Sequence, residues 1–317
     1  MKIVRTVRGD VPAGEIGIVD CHEHLLISGG PAVDKDPDLR LDDLDDAKNE
    51  VIAFMAAGGG TCVDAMPSGC GRDAVGLRSI SESTGLHIIA TAGFHTVSYY
   101  DELHWARRYD EDRLASVLLN ECTNGIDQFD SWGPLPQTSG IRPGLLKIGT
   151  SYWGARETEI RWLGVIARTQ LVTGLPILTH TEHGTFAMQQ LNLLEGFGVN
   201  PCRVILSHID RSPDFNNLKA LAARGATLCF DGLYRERYRP FSMVLEVIKK
   251  LVDAGYADKI VLGGDIARLS MRRSSGTPGI AGLLTELAPR IDSLLGSELL
   301  NLFLSVNPSS ALAVELD

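Results

Sequence analysis

Five side chains of metal-binding type and one lysine stand at related points along this sequence. They are His22 and His24 in DCHEHLL, Lys147 in LLKIGT, His180 in PILTHTEHG, His208 in VILSHID and Asp265 in VLGGDIAR. Imidazole nitrogens with one carboxylate suit a borderline divalent metal: zinc, or Mn, Co, Ni or Fe. The lysine fits less simply, because an ammonium repels a cation. A buried neutral lysine can react with carbon dioxide, and the resulting carbamate has two oxygens that can bridge two metals. Alternatively, Lys147 reaches a carboxylate such as Asp265.

The spacing says which elements must carry these groups. Lys147 to His180 is 33 residues, His180 to His208 is 28, and His208 to Asp265 is 57, about two such steps. One βα unit has roughly this length. Short apolar runs recur at 16–22, 60–66, 86–92, 144–150, 175–180, 203–208, 226–231 and 259–265. Without polar alternation they read as strands covered on both faces, as in a parallel sheet. Helical patterns fill the intervals at 44–57, 72–84, 112–127, 157–173, 186–197, 214–224 and 242–254, with two more near 282–290 and 297–305. Most end at glycine, a common helix stop. Eight β-α units with no compositional break predict one distorted (β/α)8 TIM barrel over residues 1–317, its site at the C-terminal ends of the strands. A doubly wound sheet would place a Gly-rich phosphate loop after the first strand. Here that strand runs into His-Glu-His instead. The pair His22 and His24 then points to one side of an extended strand.

Composition excludes several classes. The chain has 317 residues, 44% of them hydrophobic, and 30 basic against 40 acidic residues, a net charge of -10. This supports a buried core and argues against general nucleic-acid binding. The six cysteines lack C-x-x-C spacing and read as buried thiols. Neither a signal-peptide pattern nor an apolar run of membrane-spanning length is evident, so a cytoplasmic protein is expected.

Taken together, DCHEHLL, LLKIGT, PILTHTEHG, VILSHID, VLGGDIAR and the C-terminal NPSSALA resemble the phosphotriesterase family of the amidohydrolase superfamily. The resemblance spans nearly the whole chain. It implies a binuclear metal centre in which His22, His24 and Asp265 hold the more buried ion and His180 and His208 the more exposed one. It also implies that N6-carboxylated Lys147 bridges the pair together with a hydroxide, and that Asp265 accepts and passes on a proton. Two divalent ions, most simply zinc, are the implied cofactors, and a homodimer the implied assembly.

The substrate is less legible. Metal plus hydroxide serves a carbonyl or a phosphoryl centre, so the ligands do not separate a lactonase from an organophosphate triesterase. A catalytically silent metal- or ligand-binding barrel is the reading from another class. The rim loops carry Tyr99 and Tyr100, then Tyr234, Arg235 and Arg237, then Arg272 and Arg273. Arginines gathered on one rim of an acidic chain suggest an anionic small-molecule substrate, such as a phosphorylated or carboxylated sugar lactone. His183 is expected in a loop, His87 at the wrong end of the barrel, and Asp64 beside a ligand histidine.

Overall fold

The computed structural model describes residues 1–130 and 136–315. Twelve strands occur in it: β1 (Lys2–Thr6), β2 (Gly9–Pro12), β3 (Ile18–Glu23), β4 (Gly59–Asp64), β5 (His87–Ile89), β6 (Thr91–Phe94), β7 (Leu145–Thr150), β8 (Ile177–Thr181), β9 (Val204–Ser207), β10 (Thr227–Phe230), β11 (Ile260–Leu262) and β12 (Val314–Glu315). Strands β3 to β11 form the barrel as two parallel arcs. One runs β3-β4-β5, the other β6 to β11 in chain order. The third expected strand is broken into β5 and β6 at Ala90, so the arcs meet within one strand. A smaller sheet, β12-β1-β2, pairs the chain ends.

Among the described residues, eight helices cover the barrel: Leu44–Ala56, Ala74–Thr84, Glu111–Asn124, Glu157–Thr173, Ala187–Gly196, Phe215–Ala223, Phe241–Asp253 and Ala288–Leu295. The alternation is the distorted (β/α)8 barrel expected from the sequence. Asp43, Asp73, Asp110 and Asp214 each accept backbone N–H bonds at a helix start, satisfying donors that the first turn leaves free. The second of these helices starts at Ala74, not Arg72. Asp73 takes the cap, and Arg72 turns inward to Glu121 at 2.5 Å and Asp130 at 2.7 Å. Gly85 and Gly174 close two helices in the left-handed conformation, φ 90° and 68°, where a Cβ would be strained.

Strand periodicity puts the chemistry at one end. Leu145, Leu178, Cys229 and Val261 point into the barrel and plug it with Val63 and Ile205. Leu146, Ile148, Ile177 and Leu228 face the helices instead. Side chains alternate along a strand. Two residues past Leu145, Leu178 and Cys229, the inward positions are Lys147, His180 and Asp231. The apolar plug is therefore the floor on which the polar layer stands.

Outside the strands, Trp162 is fully buried, stacks on Phe94 at 4.9 Å and donates from Nε1 to the Ala106 carbonyl at 2.8 Å. Trp162→Ala leaves a cavity between helix and sheet. We expect it to cost about 3–5 kcal/mol, read as a lower urea midpoint in equilibrium unfolding.

Candidate metal centre

All six side chains converge at the C-terminal mouth. The His22 and His24 ring centroids lie 5.5 Å apart, those of His22 and His208 4.8 Å, and those of His180 and His208 4.6 Å. Asp265 Oδ1 stands 3.5 Å from His24 Nε2 and 3.9 Å from His22 Nε2. Lys147 Nζ is 3.2 Å from His22 Nε2. His208 and Asp265 have left the strand ladder with φ of 61° and 49°, an uncommon conformation for residues with a side chain.

Hydrogen bonding fixes which ring nitrogens face inward. Asp231, at the end of β10, accepts from His22 Nδ1 and His208 Nδ1, both at 2.7 Å. Its carboxylate also accepts the His208 backbone N–H. With Nδ1 protonated, each ring turns the Nε2 lone pair toward the centre. Glu182 Oε2 lies 2.9 Å from His180 Nε2, which leaves Nδ1 of His180 as the inward lone pair. That nitrogen is 2.9 Å from His208 Nε2. In these tautomers the two nitrogens aim at one spot, which either a proton or a metal ion can share. The donor set therefore fits a metal.

Two clusters of metal-ligand geometry occur among the described residues: His22, His24, Asp265 and His22, His208, Asp231. The second is built on the outward Nδ1 atoms. We read Asp231 as the carboxylate that orients two rings, since both of its oxygens already accept their N–H groups.

Burial and neighbouring charges keep His22, His208 and Asp265 in ligand form. Burial, with Lys147 adding to it, lowers His22 to about 4. Burial, then Arg211, holds His208 well below the usual imidazole range. Lys147 is fully buried, and desolvation lowers it to about 8. Among the described residues no carboxylate lies within ion-pair reach of its Nζ, so the alternative of a lysine held by Asp265 is not what the geometry contains. Burial raises Asp265, but Arg235 and His208 outweigh this and hold it well below the carboxylate range. Its Oδ2 is 2.7 Å from Arg211 Nη2 and 2.8 Å from Arg235 Nη2.

The pocket above the centre is walled by His24, His95, Tyr99, Arg211, Arg237 and Tyr238, with Arg235, Arg268 and Glu182 also lining it. Of the residues expected on the rim, Tyr99, Arg235 and Arg237 are here. Tyr100 is not. It is buried, and its hydroxyl donates to the Ser68 carbonyl and accepts from His95 N–H. Arg272 is fully buried and donates to the His24 and Leu25 carbonyls. Arg273 and Tyr234 lie outside this pocket. Asp64 accepts from the backbone of Leu25, Leu26 and Met66, not from a histidine ring. His183 is half-exposed at the rim, 5.6 Å from Tyr238, and His87 contacts Arg8.

Four residues were missed by sequence reasoning. Asp231 ends its strand as the ligands end theirs, a signal that was present. Arg211 and Glu182 follow ligand histidines closely. His95 stacks on Tyr99 at 3.6 Å, and its signal is its place in the aromatic loop that carries Tyr99.

These features define a protein class. The phosphotriesterase family model matches residues 2–312, and the chain belongs to that family. It is similar to a phospho-furanose lactonase of Mycoplasmopsis agalactiae, 36% identical over 99% of this chain and 92% of the relative. It is also similar to one of Mycoplasmopsis synoviae, 34% identical with the same coverage. Among solved structures, a lactonase from Listeria monocytogenes superposes with a TM-score of 0.92 at 28% identity, covering 99% of this chain and all of that one.

If Asp231 orients the two rings, Asp231→Ala frees them to rotate. We expect metal affinity to fall about 10–100-fold, measured by chelator competition. Arg272→Ala, in contrast, is expected to lower the unfolding midpoint and leave KM unchanged, since its guanidinium donates to the His24 and Leu25 carbonyls just past β3 and lies outside the pocket.

Proposed function

We propose that this chain is a binuclear metal-dependent lactonase whose substrate is a phosphorylated sugar lactone, the whole chain working as one barrel unit. The observation that carries it is the combination of inward-facing histidine lone pairs with an unneutralised arginine on the same pocket. Arg211 and Arg235 are occupied with Asp265, and Arg268 with Asp36 at 2.7 Å. Arg237 is exposed, and its hydrogen-bond partner among the described residues is the Tyr238 hydroxyl at 3.3 Å. A guanidinium with no acid partner suits a phosphate. The names of the two mycoplasmal relatives agree with such a substrate. A neutral phosphotriester would leave Arg237 without an anionic counterpart, which favours the lactone reading over the triesterase one.

His22, His24 and Asp265 would hold one ion, His180 and His208 the other, and Lys147 both. Divalent ions there would supply Lewis acidity and activate water near neutral pH. The chain's own residues do the rest. Asp231 and Glu182 keep the imidazoles in the tautomers that ligation needs. Burial disfavours the ammonium form of Lys147, so it can release one proton to give the free amine. The amine then adds to carbon dioxide: an N–C bond forms, a second proton leaves, and a neutral amine becomes an anionic carbamate. Arg211 and Arg235 favour the charged form of Asp265. This helps it as a ligand and opposes it as a proton acceptor, so Asp265 serves this reading first as a ligand. Tyr99 and Tyr238 flank the space that a furanose ring would occupy. Zinc as the ion, a homodimer and cytoplasmic residence complete the proposal. The first rests on the donor types, the second on the family resemblance, the third on six unpaired cysteines.

Two experiments test it. Arg237→Ala should raise KM for a 5-phosphorylated furanose lactone about 10-fold or more, the value of one charge-assisted hydrogen bond, and leave an unphosphorylated lactone unaffected. Equal effects on both would reject the phosphate contact. Growth with 13C-bicarbonate should give a carbamate carbonyl NMR signal that Lys147→Met lacks.

A further inference from the structure

The barrel has a seam beside its site. No ladder joins β11 to β3 among the described residues; the sheet order ends at each. The main chain contributes a bond from Asp265 N–H to the His22 carbonyl at 2.8 Å. Two buried carboxylates span the rest. Asp20 Oδ1 accepts from His22 N–H and from Gly264 N–H, each at 3.1 Å. Glu23 Oε2 accepts from His24 N–H at 3.2 Å and from Ile266 N–H at 2.9 Å. Each carboxylate thus ties a histidine of the centre to a residue directly flanking Asp265. Both side chains are buried to within 1%. The glycines before Asp265 make room for this. A Cβ on Gly263 would stand 3.0 Å from His22 N, and one on Gly264 would overlap Glu23 Oε1.

We propose that Asp20 and Glu23 are positioning residues for the metal centre, fixing His22 and His24 relative to Asp265 across the open seam. The inference rests on the metal-centre reading above. Its physical basis is the cost of the arrangement. Burying carboxylates is expensive unless they are well bonded, and a continued ladder would satisfy the same four N–H groups without them. A ladder has one register set by the pleat. A side-chain carboxylate instead lets β3 and the end of β11 approach at an offset, and here that offset brings three ligands from two strands to one point. On its other side, the pairing of β3 with β4 also shifts register between Asp20 and Glu23.

The test uses the full-length protein loaded with cobalt(II), with metal affinity read by chelator competition and site geometry by the visible absorption spectrum. Thermal unfolding of the metal-free protein runs in parallel. Asp20→Asn keeps an acceptor oxygen for both N–H groups and should hold affinity within about threefold. Asp20→Ala removes the tie and should lower affinity about 10–100-fold with an altered spectrum, in protein that still unfolds cooperatively. Gly264→Ala, which keeps both carboxyls but displaces Glu23, should give the same spectral change. Folded Asp20→Ala or Gly264→Ala protein with wild-type affinity and spectrum overturns the proposal. So does failure of both to fold, which would assign the carboxyls to holding the barrel shut. Wild-type protein that binds no cobalt would instead overturn the metal-centre reading itself.

Discussion

The arrangement at the barrel mouth depends on one carboxylate shared by two imidazoles. Asp231 fixes the tautomer and the rotation of His22 on β3 and of His208 after β9 at once. These strands lie on opposite sides of β10 and the seam, so a single side chain couples the two ends of the ligand arc. Burial raises the Asp231 carboxyl, yet His22 and Arg211 hold it below the ordinary range. It therefore stays an acceptor, and an acceptor is what two N–H groups need. A neutral acid there would have to donate from one oxygen, and one ring would turn over.

That demand propagates outward. Rings held with their lone pairs inward concentrate electron density in a water-poor space, and the cations around them answer it. Arg211 and Arg235 close over Asp265, whereas Lys147, beside His22, is pushed toward its neutral form by burial. The chain has a net charge of -10, yet its pocket is rich in arginine. Overall charge governs solubility and long-range encounter; a small substrate meets the local field. The acidic stretch after β3 contributes to that field, because Asp36 and Asp38 pin Arg268 to the pocket wall.

Much of this was legible in the sequence because a parallel barrel makes a linear code. Each strand is a short apolar run, its alternation is fixed, and its C-terminal end is where the site lies. His180 and Lys147 could be read from position alone. Where side-chain depth decides, the code fails. Tyr99 and Tyr100 are neighbours in one loop, yet Tyr99 faces the pocket and Tyr100 is bonded to Ser68. Arg237 and Arg272 look alike as rim arginines, but one meets solvent and the other caps buried carbonyls. A loop has no period to say which side is in. Asp64 fails differently. It was expected inside the strand 60–66 but ends β4, and its donors are the main-chain N–H groups of Leu25, Leu26 and Met66.

The same distinction explains the two glycines of VLGGDIAR. In sequence they read as part of the strand 259–265, whereas the strand ends at Leu262. In space they are a surface of contact, since His22 and Glu23 occupy the volumes their side chains would fill. An acid at position 265 can reach the centre only if the chain before it runs against β3 with nothing in between. The left-handed φ of 49° at Asp265 is the consequence of turning the carboxylate inward directly after that contact. Backbone strain of this kind costs on the order of 1–3 kcal/mol, and the pairings of Asp265 with Arg211 and Arg235 offset it. The catalytic geometry and the closure of the barrel are therefore one constraint, met at the point where the eighth strand returns to the first.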